Sequence, residues 1–120
     1  MFADVPLARD RVMVLRKSPL KTGPVALDPG ALWRLRHWIL ERRIELLHAH
    51  NLAPLVYVGL AARMAWRPWR GRPRVVYTEH NQIYSASAAR IARFRRYVRL
   101  ADRVVAVSED LRRTLKGELV

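Results

Sequence analysis

Four short apolar runs constrain this chain more than any other feature. They begin near residues 12, 44, 75 and 104, roughly 30 residues apart, the spacing that one strand–helix–strand unit requires. The runs at 12–15, 44–47, 75–78 and 104–107 are rich in valine, isoleucine and leucine and do not alternate with polar residues. Continuous apolar strands of this kind are buried on both faces, as in parallel sheets. Helical patterns fill the intervals. Asp28-Pro29 marks a helix start, with Asp28 as N-cap and Pro29 at the first helical position. Leu32, Leu35 and Ile39 then fall on one face. A helix over 54–64 is apolar almost all round, which implies cover on several sides. A third helix over 88–100 turns Ile91, Phe94 and Val98 inward. Ser108 caps a fourth, with Glu109 and Asp110 in its first turn, Arg112, Arg113 and Lys116 toward its end, and Gly117 as the stop. The expected architecture is α/β: a right-handed parallel sheet of about four strands with helices on both faces.

A chain of 120 residues, 51% of them apolar, is one domain with a real core. It has no cysteine, so disulfides and thiolate zinc sites are excluded, and a reducing compartment is the natural setting. Arg63 and Arg67 interrupt the longest candidate membrane span, and residues 1–20 lack the pattern of a signal peptide. The chain reads as cytoplasmic. Lys and Arg number 23 against 10 Asp and Glu, a net +13 that attracts polyanions. Much of that charge is accounted for equally by solvated helix faces. Part of it lies where Trp66, Arg67, Trp69, Arg70 and Arg72 interleave indoles with guanidiniums in a loop broken by Pro68, Gly71 and Pro73. Such interleaving suits an anionic membrane surface, or stacking on nucleobases. A plain connecting loop with its tryptophans packed back on the fold is the bland alternative.

Chemistry-bearing residues collect where strands end. The run at 75–78 passes into Glu79-His80-Asn81, and the run at 44–47 passes into His48-Ala49-His50-Asn51. Ligands of open α/β sheets bind at the carboxyl ends of the strands. Imidazole can donate to a hydroxyl or a phosphate oxygen near neutral pH, although a histidine at a strand end such as His80 is, on its own, more often a satisfied structural residue or a helix-capping partner. Glu79 is either a second reactive group or an arginine partner. His48, His50 and His80 are also imidazoles that a metal-dependent hydrolase would use. His48 is expected to pack beneath the end of the sheet. No Gly-x-Ser-x-Gly elbow and no phosphate-cradling glycine loop is present.

The segments Ile44-Glu45-Leu46-Leu47-His48-Ala49-His50-Asn51, Arg74-Val75-Val76-Tyr77-Thr78-Glu79-His80 and Ala101-Asp102-Arg103-Val104-Val105-Ala106-Val107-Ser108-Glu109 resemble the N-terminal domain of family 4 retaining glycosyltransferases. The resemblance implies a Rossmann-like half of the two-domain GT-B architecture, covering residues 32–116. It implies that His80 reaches into the cleft near the transferred sugar as the catalytic residue. Glu79, Asn81, His50, Asn51, Ser108 and Glu109 are then the substrate-binding candidates. The donor is a nucleoside-diphosphate sugar, with no cofactor and no metal. The acceptor is unknown, and lipid-linked acceptors are common in the family, so the inner face of a membrane is an expected partner. The usual glycine-rich loop at the first helix does not precede Arg11, and Val120 falls about where the linker to a C-terminal nucleotide-sugar-binding domain would begin. With that domain absent, the isolated chain is expected to be inactive. The competing class is a basic nucleic-acid-binding module without activity, for which neither a helix-turn-helix nor an RNA-recognition aromatic motif is visible.

Overall fold

The computed structural model describes residues 27–80 and 88–116. Along the chain come α1 (Pro29–Glu41), β1 (Leu46–His50), α2 (Leu52–Met64), β2 (Arg74–Glu79), α3 (Ala88–Val98), β3 (Arg103–Ala106) and α4 (Glu109–Thr114). The three strands form one parallel sheet in the order β1-β2-β3, with His50 opposite Thr78 and Glu79 opposite Ala106. The expected α/β class is the observed one. The strand expected at 12–15, Asn81 and the stop at Gly117 lie outside the described residues.

The topology decides where the described helices go. Each step from β1 to β2 to β3 moves the same way across the sheet, so right-handed crossovers place α2 and α3 on the same face. Leu55 and Ala62 of α2, Phe94 and Val98 of α3 and Leu111 of α4 meet there over Ala49, Val75 and Tyr77. Helical cover, expected on both faces, is found on that one face among the described residues. On the opposite face Leu46, His48, His50 and Val105 are exposed.

Helix α2 is apolar all round because it is covered twice, as the composition requires. Its second side receives α1, whose Ala31, Leu35 and Ile39 meet Tyr57, Ala61 and Ala65 in matching rows four residues apart. Asp28 caps α1 as expected, accepting from the Gly30 and Ala31 N–H groups at 2.9 and 3.3 Å, and its own N–H donates to the Tyr57 hydroxyl at 2.9 Å. A cap of this type contributes about 1 kcal/mol.

The second strand does not start at Ile44. Helix α1 ends in a Schellman turn: the Ile44 N–H donates to the Ile39 carbonyl at 3.1 Å and the Arg43 N–H to that of Leu40 at 3.3 Å. Ile44 therefore packs with Ile39, and β1 is displaced two residues along, which draws His48 and His50 into the strand. Arg43 occupies the left-handed position (φ 52°) that glycine usually fills. A non-glycine residue there costs roughly 1 kcal/mol.

At the far side of α2, a Cβ on Gly59 would lie 2.6 Å from the Leu100 Cβ. The Arg63 guanidinium bridges the same approach, donating to the Gly59 and Leu100 carbonyls at 3.1 and 3.2 Å. Gly59→Ala gains helix propensity but must push α2 away from Leu100, so a net loss of ~1–2 kcal/mol is expected in urea denaturation. A more stable variant would show that α2 and Leu100 are not in contact.

Candidate functional site

The parallel register sets the histidines side by side. Residues opposite one another in a parallel pair project from the same face, so His48 and His50 of β1 share a face with Val76 and Thr78 of β2. The His48 Nε2 lies 2.7 Å from Thr78 Oγ1, and the His50 Nδ1 lies 2.7 Å from the Nε2 of His80, just past the end of β2. The three rings stand in a row: His48 and His50 are tilted by 31° with centroids 4.4 Å apart, and His50 and His80, with centroids 5.0 Å apart, meet end to end through their hydrogen bond. All three are exposed. His48 is thus not packed beneath the sheet: its strand position turns it to the open face, where buried Thr78 holds its ring.

One proton lies between His50 and His80. When His50 Nδ1–H donates, neutral His80 carries its own proton on Nδ1 and offers an N–H outward. When His80 Nε2–H donates, its Nδ1 is an outward acceptor. The pair can therefore present either a donor or an acceptor from one atom of His80, an arrangement suited to holding a hydroxyl or moving a proton. It does not suit the metal reading. Two imidazole nitrogens on one tetrahedral zinc stand about 3.3 Å apart, whereas these are at 2.7 Å, in direct hydrogen bond. Among the described residues no group of three or more His, Asp or Glu is placed to hold a metal ion.

Asn51 makes the turn out of β1 with φ 71° and ψ 166°, a region almost reserved for glycine. Its N–H donates to the Thr78 carbonyl at 3.0 Å and its carbonyl accepts from Leu55, so the ladder to β2 and the first turn of α2 together hold that conformation. The strain stands directly beside His50. Glu79 behaves differently from its neighbour His80. It points to the opposite face, is 3% exposed, and accepts a hydrogen bond from the Tyr77 hydroxyl. Burial first, and then the Glu79 carboxylate, push the Tyr77 hydroxyl far above its ordinary range. Expected at the site, Glu79 sits under the sheet because the strand runs one residue further than 78 and period-two alternation turns residue 79 inward.

At the carboxyl end of β3, Ser108 Oγ accepts from the Leu111 N–H at 3.1 Å and so caps α4. Glu109 pairs with Arg112 at 3.0 Å and Arg113 at 3.7 Å. Both act within the helix. Of the expected substrate-binding residues, the structure brings His50 and Asn51 together with the catalytic candidate His80.

A family model described as Glycosyltransferase Family 4 matches residues 3–119, almost the whole chain. The chain belongs to glycosyltransferase family 4. No curated protein and no solved structure matches it. Its α/β sheet is a glycosyltransferase-family module, and the imidazole row stands at the carboxyl end of that module's parallel strands.

Elsewhere in this family 4 domain the basic loop splits into two parts. Trp66 and Trp69 are 58% and 73% exposed, so they do not pack back on the fold. Arg67 lies over the Trp69 ring, 5.7 Å from its centroid, and Arg67 and Gly71 exchange backbone hydrogen bonds that close the loop. Arg72, expected among the polyanion contacts, is engaged instead. Its guanidinium donates to both Asp102 carboxylate oxygens at 2.9 and 2.7 Å. That carboxylate also accepts from the Val75 N–H at 2.8 Å, and the Arg72 guanidinium holds the Asp102 carboxyl far below the usual range. Asp102, Thr78 and Tyr77 stand in the motif segments, but the sequence does not show what each of them holds. Their roles depend on register, since each acts on a residue of another strand or on the next residue of the same face. Among the described residues no helix is long and apolar enough to cross a membrane.

Proposed function

We propose that this chain is the acceptor-side domain of a retaining glycosyltransferase of GT-B architecture. It would help to transfer a hexosyl group from a nucleoside-diphosphate sugar, bound mainly by a second domain, to a hydroxyl acceptor. The observation that carries this reading is the hydrogen-bonded His50–His80 pair at the carboxyl end of the sheet of a family 4 domain. His80 is the residue assigned to the reacting region, through its outward nitrogen. His50 sets the orientation and tautomer of that ring, and Asn51 shapes the cleft floor. A lipid-linked acceptor, met at the cytoplasmic face of a membrane, is the substrate class this reading favours.

The test is a transfer assay with a panel of nucleoside-diphosphate sugars, run on the 120-residue chain and on the two-domain protein. The chain alone should give no product, because a site built between two domains loses the ~7–11 kcal/mol that binding and orientation supply. The two-domain protein should give a product whose anomeric configuration, read by NMR, matches the donor. Inversion, or turnover by the 120 residues alone, would overturn the reading.

A further inference from the structure

We infer that the amino-terminal edge of the sheet, opposite the imidazole row, carries a second site that takes a phosphoryl anion. The site is independent of the acceptor reading. A cleft of about 280 Å³ opens where β1 and β2 begin, between the end of α1 and the loop that follows α2. Arg43, Arg67, Arg70 and Arg74 line it, coming from the α1 turn, the loop and the start of β2. None of these four is ion-paired among the described residues. Arg72 also lines the cleft but is already neutralised by Asp102. Among the described residues Glu45 is the one carboxylate in the lining.

Among the described residues, four guanidiniums outside any salt bridge, of which Arg74 also feels the Asp102 carboxylate, face Glu45 and leave a positive excess. The apolar walls of Ile39, Leu40 and Ala65 focus that field instead of screening it. Guanidinium forks fit the oxygens of phosphate, and several arginines lining one cleft favour an anion with several oxygens and more than one charge, hence phosphate or diphosphate over a carboxylate. A second hollow of about 340 Å³ adjoins the cleft, shares Arg70 and Arg74 with it and is walled by Trp66. An apolar or ring-bearing group attached to the phosphate has a surface to rest on there. Arg43 adds an independent argument. It stands in the left-handed conformation that favours glycine, so an arginine there costs the fold what a glycine would not, in a turn that lines the cleft.

The probe is inorganic diphosphate, titrated calorimetrically into the 120-residue chain. Saturable binding is expected, weakened roughly tenfold for each guanidinium removed in Arg67→Gln and Arg70→Gln. Among the described residues neither side chain makes a hydrogen bond, and that of Arg67 rests only on the exposed Trp69 ring, so both variants should stay folded. Arg43→Gly should bind more weakly yet melt at a higher temperature, a combination that loss of folding cannot produce. Arg96→Gln, on the surface of α3, should bind like the parent. Vesicles containing phosphatidic acid, with phosphatidylcholine as the neutral control, separate the sources. Capture by phosphatidic acid that diphosphate reverses assigns the site to a lipid phosphate headgroup, and diphosphate binding without capture assigns it to a free phosphate compound. Absence of saturable binding, or equal losses in Arg96→Gln and Arg67→Gln, would overturn the site and leave only diffuse charge.

Discussion

Replacing His80 by alanine should lower sugar transfer by the proposed two-domain enzyme ~100-fold or more while leaving the fold intact, the scale seen when a preorganised donor at developing charge is removed. The fold should survive because the His80 ring is exposed and bonds to His50 alone among the described residues. The loss should fall on kcat, with the donor KM nearly unchanged, since the donor is assigned to the other domain. His50→Ala should lose less, because it removes the partner that orients the ring and fixes its tautomer but leaves the reacting group in place. His50→Gln should restore part of that loss by keeping a hydrogen-bonding group beside His80. Glu79→Gln should act through stability, as its carboxylate is buried against Tyr77. Steady-state kinetics with circular dichroism on each variant reads all of this. A folded His80→Ala enzyme with near-native kcat would show that the imidazole row is structural.

Asp102→Ala should destabilise the domain by ~3 kcal/mol. It removes two charge-assisted hydrogen bonds from Arg72 and leaves the N–H of fully buried Val75 without its partner. In a domain of this size that is a fall of roughly 15 °C in melting temperature. Asp102→Asn should lose nearly as much, since a neutral amide has one oxygen to offer where the carboxylate uses both. The same bonds make the protein acid-sensitive. The Asp102 carboxyl titrates far lower in the folded chain than in the unfolded one, chiefly because of the Arg72 hydrogen bonds. Its contribution is therefore complete above ~4, the ordinary aspartate value, and is lost as pH falls from there toward the depressed folded value. The parent should lose stability steeply below that point and Asp102→Ala less steeply. Parallel pH profiles for the two proteins would mean that the Arg72–Asp102 bridge does not form in solution.

Local chemistry was legible without coordinates. The Asp28 cap, the Pro29 start, the twofold cover of α2, the Ser108 cap and the α/β order each depend on residues a few positions apart or on a periodic apolar face. Such interactions are written in neighbouring letters, so propensity and pattern suffice to read them. The family was legible for a related reason. Strand ends carrying His, Asn and Glu recur at one βαβ spacing, and the family match covers the same stretch. The amino acids alone also set the positive charge.

Which residues would share that chemistry was decided only in three dimensions. The Schellman turn at Arg43 moved β1 by two residues, and the alternation of side chains along a strand then turned His48 and His50 to the open face. The register of β1 on β2 put His50 against His80 and His48 against Thr78, while one further residue of strand sent Glu79 under the sheet. Arg72 looked like its neighbours in the basic loop until the β2–β3 junction brought Asp102 to it from 30 residues away. The physical reason is the same in each case. A parallel sheet joins residues that are distant along the chain, its side-chain period is two, and a shift of one position reverses which face a residue serves.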